Sequence, residues 1–187
     1  AVYTLLSARV VYSAGIRSCA PLASFLAFYL RQILPDVRLI STNSANEIFE
    51  QLIRINSRDV LIGISFPRYS MRVLNAIEFT NSRNARTISI TDSENSPMNL
   101  YSSCNLLARS DMVSIVDSLV APMSIINALI VSLCINRQKE VAAYLHEIET
   151  YSDAFGPYQG DEIDAVREET VTELKDPDSQ SRRNYKE

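Results

Sequence analysis

The sequence predicts an α/β fold, a three-layer α/β/α sandwich on a five-stranded parallel sheet, and three observations carry that prediction. Short runs rich in Val, Ile and Leu recur at residues 9–14, 37–41, 59–65, 87–91 and 104–108. Strands covered on both sides look like this. Helical stretches alternate with the runs, and strict alternation implies right-handed crossovers and parallel pairing, with helices on both faces. At two handovers from strand to helix, moreover, the chain places serine and arginine together.

The elements follow in order. After the first strand, residues 18–34 read as a helix that Pro35 stops. The second strand leads to a helix over 44–55, opened by the capping-box pattern Ser44-Ala45-Asn46-Glu47. After the third strand a helix over 69–83 carries Val73, Leu74 and Ile77 at helical spacing, and only a short turn from Ser96 separates the fourth and fifth strands. Residues 117–151 are nearly all apolar at first and amphipathic from Asn136 onward. The first half has too little polar surface to face water, so it packs on the sheet or on a second subunit. The remainder, 156–187, is charged and broken by Gly156-Pro157 and Asp176-Pro177-Asp178; a disordered tail is expected, with a frayed helix over 161–175.

At 187 residues and 47% hydrophobic composition the chain can bury one sizeable core. Residues 156–187 hold nine acidic and five basic side chains, a net of −4, which leaves thirteen of each sign in residues 1–155. A neutral domain has no electrostatic footprint for nucleic acid, so any DNA contact belongs to a segment outside this chain. Cys19, Cys104 and Cys134 are odd in number and lack metal-ligand spacing, which points to reduced thiols and a cytoplasmic protein, with no cofactor or metal indicated. The run 119–135 is interrupted by Pro122, Ser124, Asn127 and Ser132 and is shorter than the roughly 20 apolar residues a bilayer demands. No secretory signal opens the chain, and its first residue is not Met, so a fragment or processed form is expected.

Open parallel sheets bind ligands at the carboxyl ends of the strands, where the winding reverses. If the strand order is 2-1-3-4-5, the reversal falls between the first and third strands, which end in the two Ser/Arg loops. There Gly15 lets the chain turn, Ser18, Ser65 and Ser70 offer hydroxyls, and Arg17 and Arg68 offer guanidinium groups, beside helix starts with free amides. Cys19 lies at the same helix start. A third loop, with Thr91, Ser93 and Ser96, borders the same crevice with side chains suited to sugar hydroxyls. Ser18, Ser70 and Ser96 are equally read as ordinary helix caps, and the two arginines as solvated surface charges.

Together these stretches resemble the sugar isomerase (SIS) domain, and more closely the SIS effector domain of RpiR/MurR-type bacterial transcriptional regulators. Val10-Val11-Tyr12-Ser13-Ala14-Gly15-Ile16-Arg17-Ser18-Cys19 is similar to the family's Gly-x-Gly-Ser-Ser motif, with Arg17 in place of the second glycine. Leu61-Ile62-Gly63-Ile64-Ser65-Phe66-Pro67-Arg68-Tyr69-Ser70 resembles its Ile-Ser-x-Ser-Gly-x-Thr motif, with Pro67 for the middle serine, Arg68 for the glycine and Ser70 for the threonine. Residues 88–97 resemble a third, Ala-Ile-Thr-Asn-x-x-x-Ser-Pro. The resemblance covers residues 5–150 and implies the order 2-1-3-4-5, a phosphorylated sugar as ligand, and a homodimer or homotetramer. It also implies an N-terminal helix-turn-helix outside this chain that binds DNA, with residues 1–8 as the end of a connector, 9–155 as the domain and 156–187 as the tail. The two arginines either bind the ligand or fill the pocket.

Isomerisation of an aldose to a ketose needs a base beside the carbonyl and a second group for ring opening, typically Glu and His. The only histidine, His146, lies far along the chain from the loops. Glu47 matches a position where the family often has Glu, but it is also the acid of the capping box. Asp111 and Asp117 read as helix caps, and Cys19 as a small buried residue. A ligand sensor without catalysis is therefore the expected function, with an isomerase using Glu47 and a degenerate oligomerisation scaffold as alternatives.

Overall fold

The structure, a computed structural model of the chain, describes residues 1–109 and 118–155. Its five strands, β1 (Val11–Gly15), β2 (Val37–Ile40), β3 (Val60–Ile64), β4 (Arg86–Thr91) and β5 (Cys104–Leu107), pair in parallel in the order β2-β1-β3-β4-β5. Val11 lies opposite both Val37 and Val60, and Ile88 opposite Cys104. The predicted sheet and winding are therefore present.

The helices are α1 (Val2–Leu6), α2 (Ala20–Leu30), α3 (Ala45–Leu52), α4 (Met71–Ser82), α5 (Val120–Asn136) and α6 (Gln138–Phe155). The chain divides into two compact units, Ala1–Ala142 and Ala143–Glu187; of the second, the described residues 143–155 are helical. The expected tail at 156–187 and the expected caps Asp111 and Asp117 lie outside the described residues. Among those residues no single helix is long and apolar enough to cross a membrane, and none of the three cysteines is in a disulfide.

Two apolar cores lie on the two faces of the sheet. On one, Val11, Ile62, Ile64, Ile88 and Ile90 meet Leu22, Leu26 and Leu30 of α2 and Ile126, Leu129 and Leu133 of α5. On the other, Tyr12, Ala14 and Leu61 meet Ile48 and Leu52 of α3 and Val73, Ala76 and Ile77 of α4. Successive strand residues point to opposite faces, and both faces are covered, which is why β1 and β3 are buried throughout. Buried residues of α2 recur every three or four positions, so the helix lays one stripe on the sheet. Its apolar start fits Pro21 in the first turn, where a missing N–H is harmless.

One element departs from the sequence reading. Helix α1 carries no sequence signal, yet its Leu5 is fully buried in the core beside α5. Burial of one leucine contributes about 1.5–3 kcal/mol, enough to fix a short segment whose own helix propensity is marginal. Between β4 and β5 the expected short turn is present, Pro97–Leu100 after Ser96, and no longer helix covers the sheet there. Thr87, Ser89 and Thr91 instead present three fully buried hydroxyls on one face of β4. Thr87 donates to the Tyr101 carbonyl (2.7 Å), Ser89 contacts the side-chain oxygens of Asn99 and Asn105 (2.9 Å each), and Thr91 donates to Ser96 (2.9 Å). A polar ladder ties the connecting loop to the sheet, where the other crossovers use apolar burial.

Candidate functional site

α2 leaves β1 toward one face of the sheet and α4 leaves β3 toward the other. The winding reverses between these neighbouring strands, so the turns that follow them open onto one crevice.

The first turn is set by Gly15. A Cβ there would stand 2.4 Å from the backbone oxygen of Cys19, so only glycine lets the chain fold back so tightly. Arg17 follows with φ 58°, in the left-handed region, and begins a 3-10 turn, Arg17–Cys19, that leads into α2. In the second turn the Ser65 hydroxyl, 3% exposed, accepts a hydrogen bond from the Ser70 amide (3.0 Å). This bond closes the loop around Arg68, which has φ 70°. A hydroxyl that accepts in this way keeps its own O–H as a donor.

The only other left-handed residue outside glycine among the described residues is Asn84, past the end of α4, where asparagine is an ordinary terminator. An arginine gains nothing from that conformation and carries a strain of about 1 kcal/mol or more. The two strained arginines occupy the positions where the motifs quoted above have glycine. The turns have therefore kept the glycine backbone while changing the side chain.

A cavity of about 1010 Å³ lies between the turns. Of the residues singled out from sequence, Arg17, Ser18, Cys19, Ser65, Arg68 and Ser70 line it. Both arginines border this space, and it stays open. Ser70 precedes α4 without capping it through its side chain, and the side chain of Cys19 likewise does not cap α2. The α4 start thus retains amide donors and a positive dipole end on this side of the molecule, whereas at α2 the Ala20 amide donates to the Arg17 carbonyl and Pro21 has no N–H. Phe66, Pro67, Met71 and Leu119 supply apolar wall.

Gly15, Glu47, Thr91, Ser93 and Ser96 are not among the lining residues. Gly15 shapes the turn. Glu47 is exposed on α3, where its carboxylate accepts from Thr42 Oγ1 (2.5 Å) while Ser44 accepts from the Glu47 amide. Ser96 caps the turn Pro97–Leu100, accepting from the Met98 amide, and Ser93 accepts from the Asn95 amide. The cap reading thus holds at Ser96, whereas Ser18 and Ser70 offer hydroxyls to the cavity.

Sequence reasoning did not single out Tyr69 or Arg72, which also line the cavity. Tyr69 donates to Asp92 Oδ1 (2.8 Å) and so ties the second turn to the loop after β4. Burial, reinforced by that bond, pushes the Tyr69 hydroxyl above its usual pKa. Arg72 had a legible signal, since it lies two positions beyond Ser70 in the first turn of α4. The lining, so far as described, contains three guanidinium groups and neither a carboxylate nor an imidazole.

The SIS domain family model matches residues 4–132. Among solved structures, the sugar isomerase domain of an RpiR transcription factor from Sphaerobacter thermophilus superimposes with a TM-score of 0.75 at 23% identity, over 80% of this chain and 83% of that one. The Vibrio vulnificus NanR protein complexed with ManNAc-6P gives 0.71 at 17% identity, over 82% of this chain and 59% of that chain. A Methanococcus jannaschii protein, for which a function as 3-hexulose-6-phosphate isomerase has been inferred, gives 0.60 at 12% identity, over 76% and 80%. No curated protein matches the sequence.

Proposed function

The chain belongs to the SIS domain family, and from that premise we propose that it is a phosphosugar-sensing effector domain of a bacterial transcriptional regulator. The observation that carries the reading is the convergence of Ser18, Ser65 and Ser70 on one cavity with three arginines and the uncapped start of α4. Hydroxyls, amides and guanidinium groups are the donors that suit a phosphoryl group. NanR, complexed with ManNAc-6P, and the Methanococcus jannaschii protein, with its inferred 3-hexulose-6-phosphate isomerase function, support a phosphorylated sugar as the class.

The cavity supports sensing over turnover. Moving a proton beside a sugar carbonyl needs a base within reach, and the described lining offers serines, arginines and Tyr69 but no carboxylate or imidazole. Glu47, the acid of the runner-up isomerase reading, is engaged with Thr42 on α3. In this proposal the protein is cytoplasmic, assembles as a homodimer or homotetramer, and contacts DNA through a helix-turn-helix outside residues 1–187. Binding alters transcription only if two assembly states hold the sugar with different affinity.

Thermal-shift titration with sugar phosphates tests the proposal. A bound phosphosugar raises the melting temperature, and Ser65→Ala or Ser18→Ala weakens that response by about 1–3 kcal/mol of affinity. Aldose–ketose exchange in the same mixtures would overturn the sensor in favour of the isomerase.

A further inference from the structure

We propose that Asp92 is a positioning residue for the ligand cavity. Through the Tyr69 hydroxyl it holds the turn between β3 and α4, residues 65–70, in the shape that presents its donors to a phosphoryl group. The proposal rests on the phosphosugar reading of the cavity and goes beyond it, because Asp92 is not among the lining residues.

The turn is an arch whose feet stand on opposite faces of the sheet. Phe66, 6% exposed, is buried in the core beneath α2 and α5. Tyr69 packs against the other core, beneath α3 and α4. Between them Pro67 and Arg68 cross the end of the sheet, and Arg68 does so at φ 70°, a conformation that costs an arginine about 1 kcal/mol or more. A turn strained in this way keeps its shape only where its surroundings fix it. The bond from the Ser70 amide to the Ser65 hydroxyl is one hold, and the bond from the Tyr69 hydroxyl to Asp92 Oδ1, at 2.8 Å, is another.

Asp92 gives that second hold a fixed base. It follows β4 directly, and Thr91, the fully buried last residue of the strand, accepts from the Ala108 amide through its carbonyl (2.8 Å). A hydrogen bond to a carboxylate is among the strong ones, so Tyr69 is tied firmly to the frame of the sheet. Ser70 and the uncapped start of α4 follow Tyr69 at once, with Arg72 one residue into the helix. A shift of Tyr69 therefore moves the donors themselves, and hydrogen bonds weaken steeply once distance and angle are lost.

Charge alone predicts the opposite effect. A carboxylate one side chain away from an anion site repels the anion, so an acid at position 92 helps binding only through geometry. Removal of Asp92 thus loosens phosphate binding if the residue positions the turn, and tightens it if only its charge is felt.

The test uses the full chain and calorimetric titration with inorganic phosphate, glucose 6-phosphate and ribose 5-phosphate. Asp92→Ala is expected to weaken binding by about tenfold and Tyr69→Phe by a similar factor, with the double variant no weaker than either, as two groups acting through one bond require. Asp92→Asn, whose amide oxygen still accepts from the phenol, should bind within about threefold of the wild-type chain. Ser89→Ala is the control for a loosened fold. It removes the contacts to Asn99 and Asn105, so it should lower the melting temperature and leave affinity unchanged. Unchanged or tighter binding in Asp92→Ala, losses that multiply in the double variant, an Asp92→Asn loss as large as that of Asp92→Ala, or an equal loss in Ser89→Ala each overturns the proposal and leaves the phosphosugar reading standing. Failure of all three probes to bind the wild-type chain overturns the phosphosugar reading, and this proposal with it.

Discussion

Strand β1 has an arginine at each end, and the two arginines are held in opposite ways. Arg9, before the strand, forms a two-point ion pair with Asp59 at 2.9 and 2.7 Å. Asp59 is fully buried and also accepts from the Asn56 amide at 2.9 Å. The carboxylate holds the Arg9 guanidinium above its already high pKa. Arg17, after the strand, has no ion pair among the described residues, a left-handed backbone and a cavity in front of it. At the amino end of the sheet the buried carboxylate is fully matched and the arrangement stabilises the fold. At the carboxyl end the Arg17 guanidinium has no such partner among the described residues and its backbone is strained, which fits the binding role proposed for this end.

If that division is real, substitutions at the amino end should act on stability alone. Asp59→Ala is expected to have the largest effect, because it orphans both the Asn56 amide and the partner guanidinium. A fall in melting temperature on the order of 5–10 °C follows, with ligand affinity per folded molecule unchanged. A change in affinity instead would break the comparison. Gly15→Ala comes next and should act on both properties. The new Cβ would meet the Cys19 carbonyl oxygen, which is backbone and cannot swing aside, so a loss of about 2–3 kcal/mol is expected, readable by urea unfolding. At Gly63 the clash is with the Ile77 side chain, whose terminal methyl can move, so Gly63→Ala should cost less.

The same contrast governs what the sequence could reveal. The strands, their order and the two turns were legible because apolar runs and Ser/Arg pairs are local signals. The convergence of Ser18 and Ser65 followed from strand order together with the rule for where winding reverses. By contrast α1 was invisible, since five residues carry no periodicity and Leu5 is fixed only by distant partners in α2 and α5. The alternation Thr87-Ile88-Ser89-Ile90-Thr91 was on view, yet that these hydroxyls would hold the next loop depends on Tyr101, Asn99 and Asn105 folding back over them. Ser96 and Ser70 look alike in sequence. One caps a turn and the other faces the cavity, a difference made by where each helix start points.

A smaller effect sharpens the reading of strain. Replacing Arg17 by glycine should stabilise the free protein by about 0.5–1 kcal/mol, because relief of the left-handed conformation exceeds the entropy that glycine adds to the unfolded chain. Asn84→Gly is the control. Asparagine tolerates φ 56° at a helix end, so its replacement should change stability by no more than a few tenths of a kcal/mol. Equal gains at the two positions would show that Arg17 is no more strained than a common terminator, and the contrast between the ends of β1 would then rest on charge alone.

The smallest expected effect concerns Tyr69, the side chain that couples the second turn to the loop after β4. Its hydroxyl donates to Asp92, and both burial and that carboxylate favour the protonated form, so the folded pKa lies above the usual 10.0. The folded protein therefore binds this proton more tightly than the unfolded chain does. The resulting stability is complete below pH 10 and is lost as pH climbs through the raised value. Melting curves between about pH 8 and 11 should thus fall more steeply for the wild-type chain than for Tyr69→Phe, with the two traces converging at the alkaline end. Parallel traces would mean that the phenol is not held by Asp92, and that the third loop is anchored to the sheet by Thr91 and Ser96 without a link to the cavity wall.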